Sequence, residues 1–246
     1  MLLALDVGNS SVKGALWGGS WETVQRWDHG GVGSWAERLR SIGDLEAVGI
    51  ASVVPAITDV LFEAAERVGV PVVSVSTDLR LPFRLDYQTP HTLGADRLAA
   101  AVGGHALAEG RAVVVVDAGT AITTDIVTAE PAYIGGAILP GPDLLRRSLA
   151  RDTGQLPDVP WPDAVTPIGS STVEAIQAGI GTLVLEGVTG LLARTLEAVG
   201  RDALVVATGG WAEWLAVRIS LIERCEPRLV LEGVRLLTDQ SRSSSD

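Results

Sequence analysis

Cysteine is nearly absent from this 246-residue sequence, and other features that define a protein class are missing too. Because Cys225 is the only cysteine, no disulfide can form within the chain, which excludes small disulfide-stabilised scaffolds. The unbroken apolar runs have the length of strands, well short of the ~20 residues that span a membrane. We expect no secretory signal, since Asp6 interrupts the first apolar run and no basic segment precedes it. The composition therefore predicts a cytoplasmic protein that does not bind membranes.

Basic and aromatic residues are also scarce. The chain has 19 Lys and Arg against 30 Asp and Glu, a formal net charge of −11, and Lys13 is its single lysine. This balance disfavours nucleic acids and anionic membranes as partners. The seven tryptophans are scattered, so we interpret them as packing residues rather than as a base-stacking platform. A small phosphate ligand remains compatible, because backbone N–H groups and one or two local cations can hold it.

What the sequence has in quantity is apolar residues, at 47%, together with 28 glycines. That is enough for a core in one large α/β domain or in two smaller ones. The predicted order of hairpin, third strand, helix, strand and helix occurs twice, and each copy opens with a strand that ends in Asp-x-Gly, at residues 6–8 and 117–119. We predict an internal duplication with a cleft between the halves. The alternative is coincidence, since such turns are common after strands.

Several local expectations concern the second half of the chain. Residues 171–199 have a helical pattern, with a possible break at the glycines of residues 179–181. A strand is expected near residues 219–222 and a final helix over residues 229–237. The serine-rich residues 240–246 are predicted to be a disordered tail.

The turns after the predicted strands point to phosphate chemistry. Glycine turns expose backbone N–H groups that bind phosphate oxygens, and an aspartate at each strand end can hold a hydrated cation. Lys13 can reach a β- or γ-phosphate, although alone it would be an ordinary exposed strand lysine. The Thr-Gly-Gly turn at residues 208–210 admits a flat group such as adenine or ribose, or is an ordinary turn.

A second concentration of polar residues precedes a predicted helix. Pro90 interrupts regular structure, and a helical pattern then runs from about Leu93 to Leu107. Asp96 and Arg97 therefore lie in the first helical turn, where the helix dipole favours a carboxylate. Such loop and helix-start positions commonly bind ligands.

These segments resemble known motifs. Asp-x-Gly-Asn-Ser at residues 6–10, Asp-x-Gly-Thr at 117–120 and Thr-Gly-Gly at 208–210 are similar to the phosphate 1, phosphate 2 and adenosine motifs of the acetate kinase/sugar kinase/Hsp70/actin superfamily. Within that superfamily, Tyr-x-x-Pro-x-x-Leu-Gly-Ala-Asp-Arg at 87–97 and Gly-Gly-Ala-Ile-Leu-Pro-Gly at 135–141 resemble the type III pantothenate kinases. The motifs follow the family order over nearly the whole chain.

The resemblance implies a fold and a reaction. The fold would be α/β, with two duplicated actin-like, ribonuclease H-like lobes at residues 1–109 and 110–239 and a nucleotide cleft between them. The reaction would be ATP-dependent phosphorylation of pantothenate to 4′-phosphopantothenate, the first step of coenzyme A biosynthesis. The family also implies a homodimer, with substrate pockets near the interface.

The same resemblance assigns roles to individual residues. Asp96 matches the general base that takes the proton of the pantothenate hydroxyl. The implied substrate-binding residues are Tyr87, Gly94, Ala95, Asp96, Arg97 and Thr172. For the last of these, the neighbouring Ser171 is an alternative.

ATP and its ions complete the implied site. The implied ATP-binding residues are Asp6, Val7, Gly8, Asn9, Ser10, Ser11, Val12, Lys13 and Thr120. Asp6 would approach Mg²⁺ through water, and Asp117 would be a ligand of a monovalent cation, K⁺ or NH₄⁺.

Each assignment also has a simpler structural explanation. Asp96 can cap backbone amides, Arg97 can form a surface ion pair and Tyr87 can be a half-buried loop aromatic. Thr172 can be the N-cap of the long helix. At the level of function, the alternatives are another small-molecule kinase of the superfamily and a non-catalytic regulatory or accessory homologue.

Overall fold

The computed structural model describes the backbone of residues 1–243, and their side chains apart from those of residues 31–33. The chain divides into two compact units, each a mixed α/β structure. Unit 1 comprises residues 1–110, residues 125–135 and the C-terminal residues from Arg228 onward; unit 2 comprises residues 111–124 and 136–227.

Unit 1 is built on a five-stranded sheet, and all labels here follow chain order. Its strands are β1 (Leu2–Val7), β2 (Val12–Trp17), β3 (Gln25–Trp27), β4 (Ala47–Ser52) and β5 (Val72–Ser74). Its helices are α1 (Trp35–Ser41), α2 (Pro55–Val68), α3 (Ala95–Leu107) and α7 (Leu229–Ser243). The sheet order is β3-β2-β1-β4-β5, with β1 antiparallel to β2 and parallel to β4. The central strands β1 and β4 are almost wholly buried, as parallel strands covered on both faces require.

Unit 2 repeats this plan. The second sheet contains β7 (Val113–Ala118), β8 (Ala121–Val127), β9 (Ala132–Pro140), β10 (Leu204–Thr208) and β11 (Arg224–Cys225) in the order β9-β8-β7-β10-β11, with one further short strand beside β9. The end of β8 and the start of β9 fall in residues 125–135 and so belong to unit 1. The helices of unit 2 are α4 (Pro142–Asp152), α5 (Thr172–Val199) and α6 (Ala212–Ala216). The order matches that of unit 1 strand for strand, and β10 is parallel to β7 as β4 is to β1. The two units therefore share one topology, as the predicted duplication requires.

The sequence analysis missed one short strand, which lies beside residues 132–133. This strand, β6 (Arg84–Leu85), pairs in parallel with Ala132 and Tyr133 at the start of β9. Two residues are too few to produce a periodic pattern, which is why the strand was not predicted. It fixes the start of the loop that carries Tyr87.

The long helix α5 runs from Thr172 to Val199 without interruption, so the expected break at residues 179–181 is wrong. Gly181 is buried, and a Cβ there would approach the Val165 side chain to 2.8 Å. Tertiary packing of the preceding loop thus accounts for this glycine and outweighs its low helix propensity. The helix has a mean hydropathy of 1.5 in its most apolar window, of which 39% is buried; by length and composition it could cross a membrane, a test that soluble core helices also pass.

Two other local predictions differ from the structure. The strand expected near residues 219–222 lies instead at Arg224–Cys225. The tail predicted for residues 240–246 is helical through Ser243, where α7 ends, and residues 244–246 lie outside the described part. Residues 240–242 of this last turn are half-buried, and Arg242 pairs with Glu46 at 2.8 Å.

The observed units also differ from the predicted division into residues 1–109 and 110–239. The first boundary agrees closely, but α7 packs on α3 and on β1 and β4 and so belongs to unit 1. Close backbone approach explains the packing: a Cβ at Gly233 would collide with the carbonyl of Ala99, and one at Gly103 with that of Leu229. Sequence periodicity reveals that α7 is a helix but not which unit it covers.

Candidate active site

Asp6 and Lys13 are direct partners in the antiparallel β1–β2 register. The Lys13 ammonium lies 3.8 Å from Asp6 Oδ2, and the Asp6 side chain is only 14% exposed. Burial raises the pKa of Asp6 to about 6, Lys13 lowers it and the charge of Asp96 raises it further. Asp6 and Asp96, which the sequence analysis placed in separate motifs, are therefore close enough in unit 1 to interact electrostatically.

Hydrogen bonds within the backbone and to Arg26 and His29 hold the turn after β1. The Gly8 N–H donates to the Ser11 carbonyl at 3.1 Å, and the Gly8 carbonyl lies 2.9 Å from His29 Nε2. Arg26 Nε donates to the buried Ser11 hydroxyl at 2.8 Å. Asn9 and Ser10 are exposed at the tip of the turn, where a ligand can reach them. The Ser11 side chain thus supports the turn.

Val7 and Val12 differ from the other predicted ATP-binding residues. Their side chains are completely buried in the unit 1 core. Any contact of these two residues with a nucleotide must therefore come from the backbone.

Asp96 lies in the first turn of α3, as predicted. Its Oδ1 accepts a hydrogen bond from the Arg97 N–H at 2.8 Å, so the carboxylate does bind a helix-terminal amide. A Cβ on the N-cap residue Gly94 would approach this oxygen to 2.5 Å. A side chain at position 94 would therefore displace the Asp96 carboxylate from this position, and Ala95 begins the helix.

Arg97 does not form the surface ion pair considered as its simpler explanation. Its side chain is 10% exposed and pairs with Asp125, which is fully buried: Nε lies 2.9 Å and a terminal nitrogen 2.8 Å from Asp125 Oδ1. The Tyr133 hydroxyl donates to the same oxygen at 2.7 Å. Tyr87 also hydrogen-bonds to Arg97, and its ring meets that of Tyr133 edge to face at 5.7 Å.

The sequence analysis missed Asp125 and Tyr133, although one signal was available. Asp125 lies in β8 directly before Ile126 and Val127, in a strand whose neighbours are buried. A carboxylate in such a strand needs a partner, because an unpaired buried charge is very costly. That requirement predicts a partner but does not identify Arg97, which is 28 residues away in sequence.

Unit 2 brings the phosphate 2 and adenosine motifs together. Thr208 of β10 pairs with Asp117 of β7 in parallel register. Gly209 follows with a φ of +93°, and a Cβ there would lie 2.5 Å from both Asp117 Oδ1 and the Ala118 carbonyl. Glycine at this position thus lets the adenosine turn approach the end of β7 and the two oxygens.

Backbone hydrogen bonds hold the turn that carries Thr120, and one of them comes from Gly141. The Thr120 carbonyl accepts from the Gly141 N–H at 3.0 Å, and the Gly119 N–H donates to the Ala121 carbonyl at 2.9 Å. Gly141, the last residue of the predicted 135–141 motif, is therefore a support for the phosphate 2 turn.

Ser171 and not Thr172 is the N-cap of α5. The Ser171 hydroxyl accepts from the Glu174 N–H at 3.2 Å, and Glu174 in turn accepts from Ser170. This reciprocal arrangement is close to a capping box. Thr172 is the first helical residue and is exposed. The N-cap explanation for Thr172 is therefore wrong.

Comparison with known proteins places the whole chain in a family. The family model for type III pantothenate kinases matches residues 2–194. The chain belongs to the type III pantothenate kinase family. A type III pantothenate kinase of Chlorobaculum parvum is 37% identical over 255 aligned residues, covering 96% of this chain and 93% of the relative. The resemblance inferred from the motifs is thereby confirmed.

Solved structures support the fold alone. A Campylobacter jejuni protein assigned to the Baf family of transcriptional activators has a TM-score of 0.66 at 20% identity, over 98% of this chain and 99% of the other. A glucokinase from an Antarctic psychrotroph has a TM-score of 0.52 at 9% identity, over 97% and 98% of the two chains. Together with the two α/β sheets, these likenesses confirm the predicted actin-like fold class.

A kinase of this family uses ATP, and the donor set in unit 1 suits a divalent metal. Among the described residues, no three His, Cys, Asp or Glu side chains cluster as a complete metal site. Mg²⁺ does not need one, because it is usually held by one or two carboxylates plus phosphates and waters. Asp6, buried and raised in pKa beside a second carboxylate, is a group whose charge a bound cation would stabilise.

Proposed function

We propose that this enzyme transfers the γ-phosphoryl group of ATP to the terminal hydroxyl of pantothenate, giving 4′-phosphopantothenate and ADP. The product would enter coenzyme A biosynthesis. The observation that carries the proposal is the joint placement of Asp96, Asp6 and Arg97 in unit 1, in a chain of this family.

Asp96 is proposed as the general base. The pantothenate hydroxyl oxygen bonds to the γ-phosphorus, the bond from that phosphorus to the β-bridging oxygen breaks, and the hydroxyl proton passes to Asp96. The amide of Arg97 orients the Asp96 carboxylate through Oδ1. Phosphoryl transfer depends mainly on positioning and charge neutralisation, so a well-placed carboxylate suffices as the base.

Asp6, Lys13 and the turn at residues 8–11 are proposed to hold the ATP phosphates. Lys13 contributes a cation, and the exposed Asn9 and Ser10 contribute polar groups at the turn. Mg²⁺, when bound, would neutralise phosphate charge, and Asp6 would hold it through water. Tyr87, Gly94, Ala95, Arg97 and Thr172 are proposed to bind pantothenate.

In unit 2, Asp117 is proposed to organise a K⁺ or NH₄⁺ ion, and Thr120 to contact ATP. Support comes from the two oxygens that converge at Gly209, the Asp117 carboxylate and the Ala118 carbonyl, since oxygen atoms are the ligands of hard cations. Replacing K⁺ with Na⁺ should depress turnover of the wild-type enzyme. Equal rates in the two salts would remove the monovalent-ion role.

We further propose a cytoplasmic homodimer that needs neither nucleic acid nor membrane. Leu183 is 57% exposed on α5, an apolar position that a second copy would cover. Light scattering at several protein concentrations tests this assembly, and a monomer at all of them would contradict it.

The test of the reaction is phosphate transfer from ATP across a panel of alcohols with the purified wild-type chain. Pantothenate should be the preferred acceptor by kcat/KM, and mass spectrometry should identify 4′-phosphopantothenate. Preference for a sugar would favour the alternative of another small-molecule kinase. Binding of ATP without transfer to any acceptor would favour a non-catalytic homologue.

A further inference from the structure

Three hydrogen-bond donors converge on one buried oxygen in unit 1. Asp125 Oδ1 receives Arg97 Nε at 2.9 Å, a terminal nitrogen of Arg97 at 2.8 Å and the Tyr133 hydroxyl at 2.7 Å. The Asp125 side chain is completely inaccessible to solvent, and that of Arg97 is 10% exposed. Asp125 therefore cannot touch a substrate, whereas Arg97 retains a small accessible surface.

The arrangement fixes the guanidinium plane. Two nitrogens of Arg97 point at the same Asp125 oxygen, so rotation about the terminal bonds would break both contacts. Lysine cannot reproduce this geometry, since it carries a single nitrogen. Burial lowers the pKa of Arg97, but Asp125, Tyr133 and Tyr87 outweigh that effect and raise it, so the side chain stays a cation.

The same contacts reach the proposed base. Arg97 contributes its side chain to Asp125 and its backbone N–H to Asp96 Oδ1 at 2.8 Å. Tyr87 hydrogen-bonds to the Arg97 guanidinium, and its ring also packs on Tyr133. Holding Arg97 therefore also holds the first turn of α3 and the loop residue Tyr87.

We infer that Asp125 and Tyr133 are positioning residues that orient Arg97 for the acceptor substrate, without touching that substrate themselves. The inference rests on the proposed function, in which Arg97 binds pantothenate. Because Asp125 balances the Arg97 charge, Arg97 acts as a directed hydrogen-bond donor to an acceptor carboxylate rather than as a source of net positive potential.

Steady-state kinetics on Asp125→Asn and Tyr133→Phe provide the first test. Asp125→Asn should raise KM for pantothenate by about tenfold or more, while KM for ATP changes by less than about twofold, since only the orienting charge is lost. Tyr133→Phe keeps the ion pair and should raise KM for pantothenate by only about two- to fivefold. Equal effects on both substrates, or none on pantothenate, would overturn the inference.

A double-mutant cycle tests whether Asp125 acts through Arg97. If it does, Asp125→Asn combined with Arg97→Gln should be no worse for pantothenate than Arg97→Gln alone. Losses that multiply would show that Asp125 acts independently and would contradict the inference. Thr124→Val is the matched control in the same strand as Asp125: it removes the 2.9 Å hydrogen bond that the Ala137 N–H donates to the Thr124 hydroxyl, and should reduce stability without a selective rise in KM for pantothenate.

A readout free of substrate separates this inference from the proposed function. In ¹H–¹⁵N NMR of the full chain, the Arg97 Nε–H signal, assigned by its loss in Arg97→Lys, should exchange slowly in the wild type. It should exchange faster in Tyr133→Phe and fastest in Asp125→Asn. If the wild type does not phosphorylate pantothenate, the proposed function fails while this signal still decides the orientation of Arg97. If Asp125→Asn does not fold, Tyr133→Phe decides, and an unchanged signal there overturns the inference.

Discussion

The Lys13 ammonium lies 3.8 Å from Asp6 Oδ2, across the first two strands of unit 1 where these residues face each other. The only lysine of the chain thus faces a carboxylate whose pKa is raised by burial. Lys13 opposes the effect of burial on Asp6 and keeps that carboxylate ionised at neutral pH.

Replacing Lys13 by methionine should therefore move the acidic limb of the pH–rate profile upward. The pKa of Asp6 is about 6 with Lys13 present, and loss of the cation would raise it. We expect kcat/KM for MgATP to begin to fall at a higher pH in Lys13→Met than in the wild type, besides an overall loss of activity. Lys13→Arg keeps the charge and is the control. If the acidic limb of the pH–rate profile does not move in Lys13→Met, protonation of Asp6 is not the cause of the pH dependence.

Asp6→Asn should stabilise the ligand-free protein while it impairs catalysis. The pKa of Asp6 is about 6 in the folded protein, whereas its ordinary value is 3.8. The free energy of unfolding of the wild type therefore falls as pH rises from 3.8 through about 6, because the unfolded chain loses this proton first. The gain in free energy of unfolding should grow across this window and reach up to about 3 kcal/mol above it. Chemical denaturation at a series of pH values measures this, with the exposed Asp59→Asn as control. A gain that does not depend on pH would argue against burial as the cause.

Asp96→Asn should abolish turnover but spare nucleotide binding. Loss of a general base typically lowers kcat by about 10² to 10⁴. The amide can still accept the Arg97 N–H, so α3 should remain intact and the affinity for ATP should change little. Rapid-quench kinetics and calorimetric titration with ATP measure the two effects. Full activity in this variant would remove Asp96 from the role of base.

The adenosine turn offers a matched pair of glycines. Gly209→Ala forces a side chain into a φ of +93° beside Asp117 Oδ1 and the Ala118 carbonyl, whereas a Cβ at Gly210 meets nothing within 4 Å. Gly209→Ala should cost about 1–3 kcal/mol of stability and raise KM for ATP. Gly210→Ala should do neither. Thermal unfolding and ATP kinetics on the pair decide this, and similar behaviour of both variants would show that close approach is not the reason for Gly209.

Substitutions at the adjacent residues Ser171 and Thr172, at the start of α5, should affect stability and substrate binding separately. Ser171→Ala removes the N-cap and should reduce stability by about 1 kcal/mol, with KM for pantothenate unchanged. Thr172→Ala should leave stability nearly unchanged and raise KM for pantothenate, if Thr172 is the substrate residue. The opposite pattern would transfer the substrate role to Ser171, the alternative that the sequence left open.

Much of the fold follows from local pattern, because apolar strands, Asp-x-Gly turns and helix periodicity are all visible in the sequence. The bounds of α3 and the place of Asp96 in its first turn are examples. The contacts of Arg97 are not predictable in this way, since its partner Asp125 is distant in sequence and only folding brings the two together. The same limit applies to Gly181, whose role depends on Val165 rather than on helix propensity.

The assignment of α7 to unit 1 has a consequence for biosynthesis. This helix covers α3, β1 and β4, yet it is translated only after all of unit 2. During synthesis on the ribosome, the surfaces of α3 and of the central strands that α7 covers therefore stay exposed until the intervening residues have been made. All strands of both sheets precede α7 in the chain, so both sheets can form before this helix is made, and α3, which carries the proposed base, gains the buried residues Leu229, Val234 and Leu237 only at the end of synthesis.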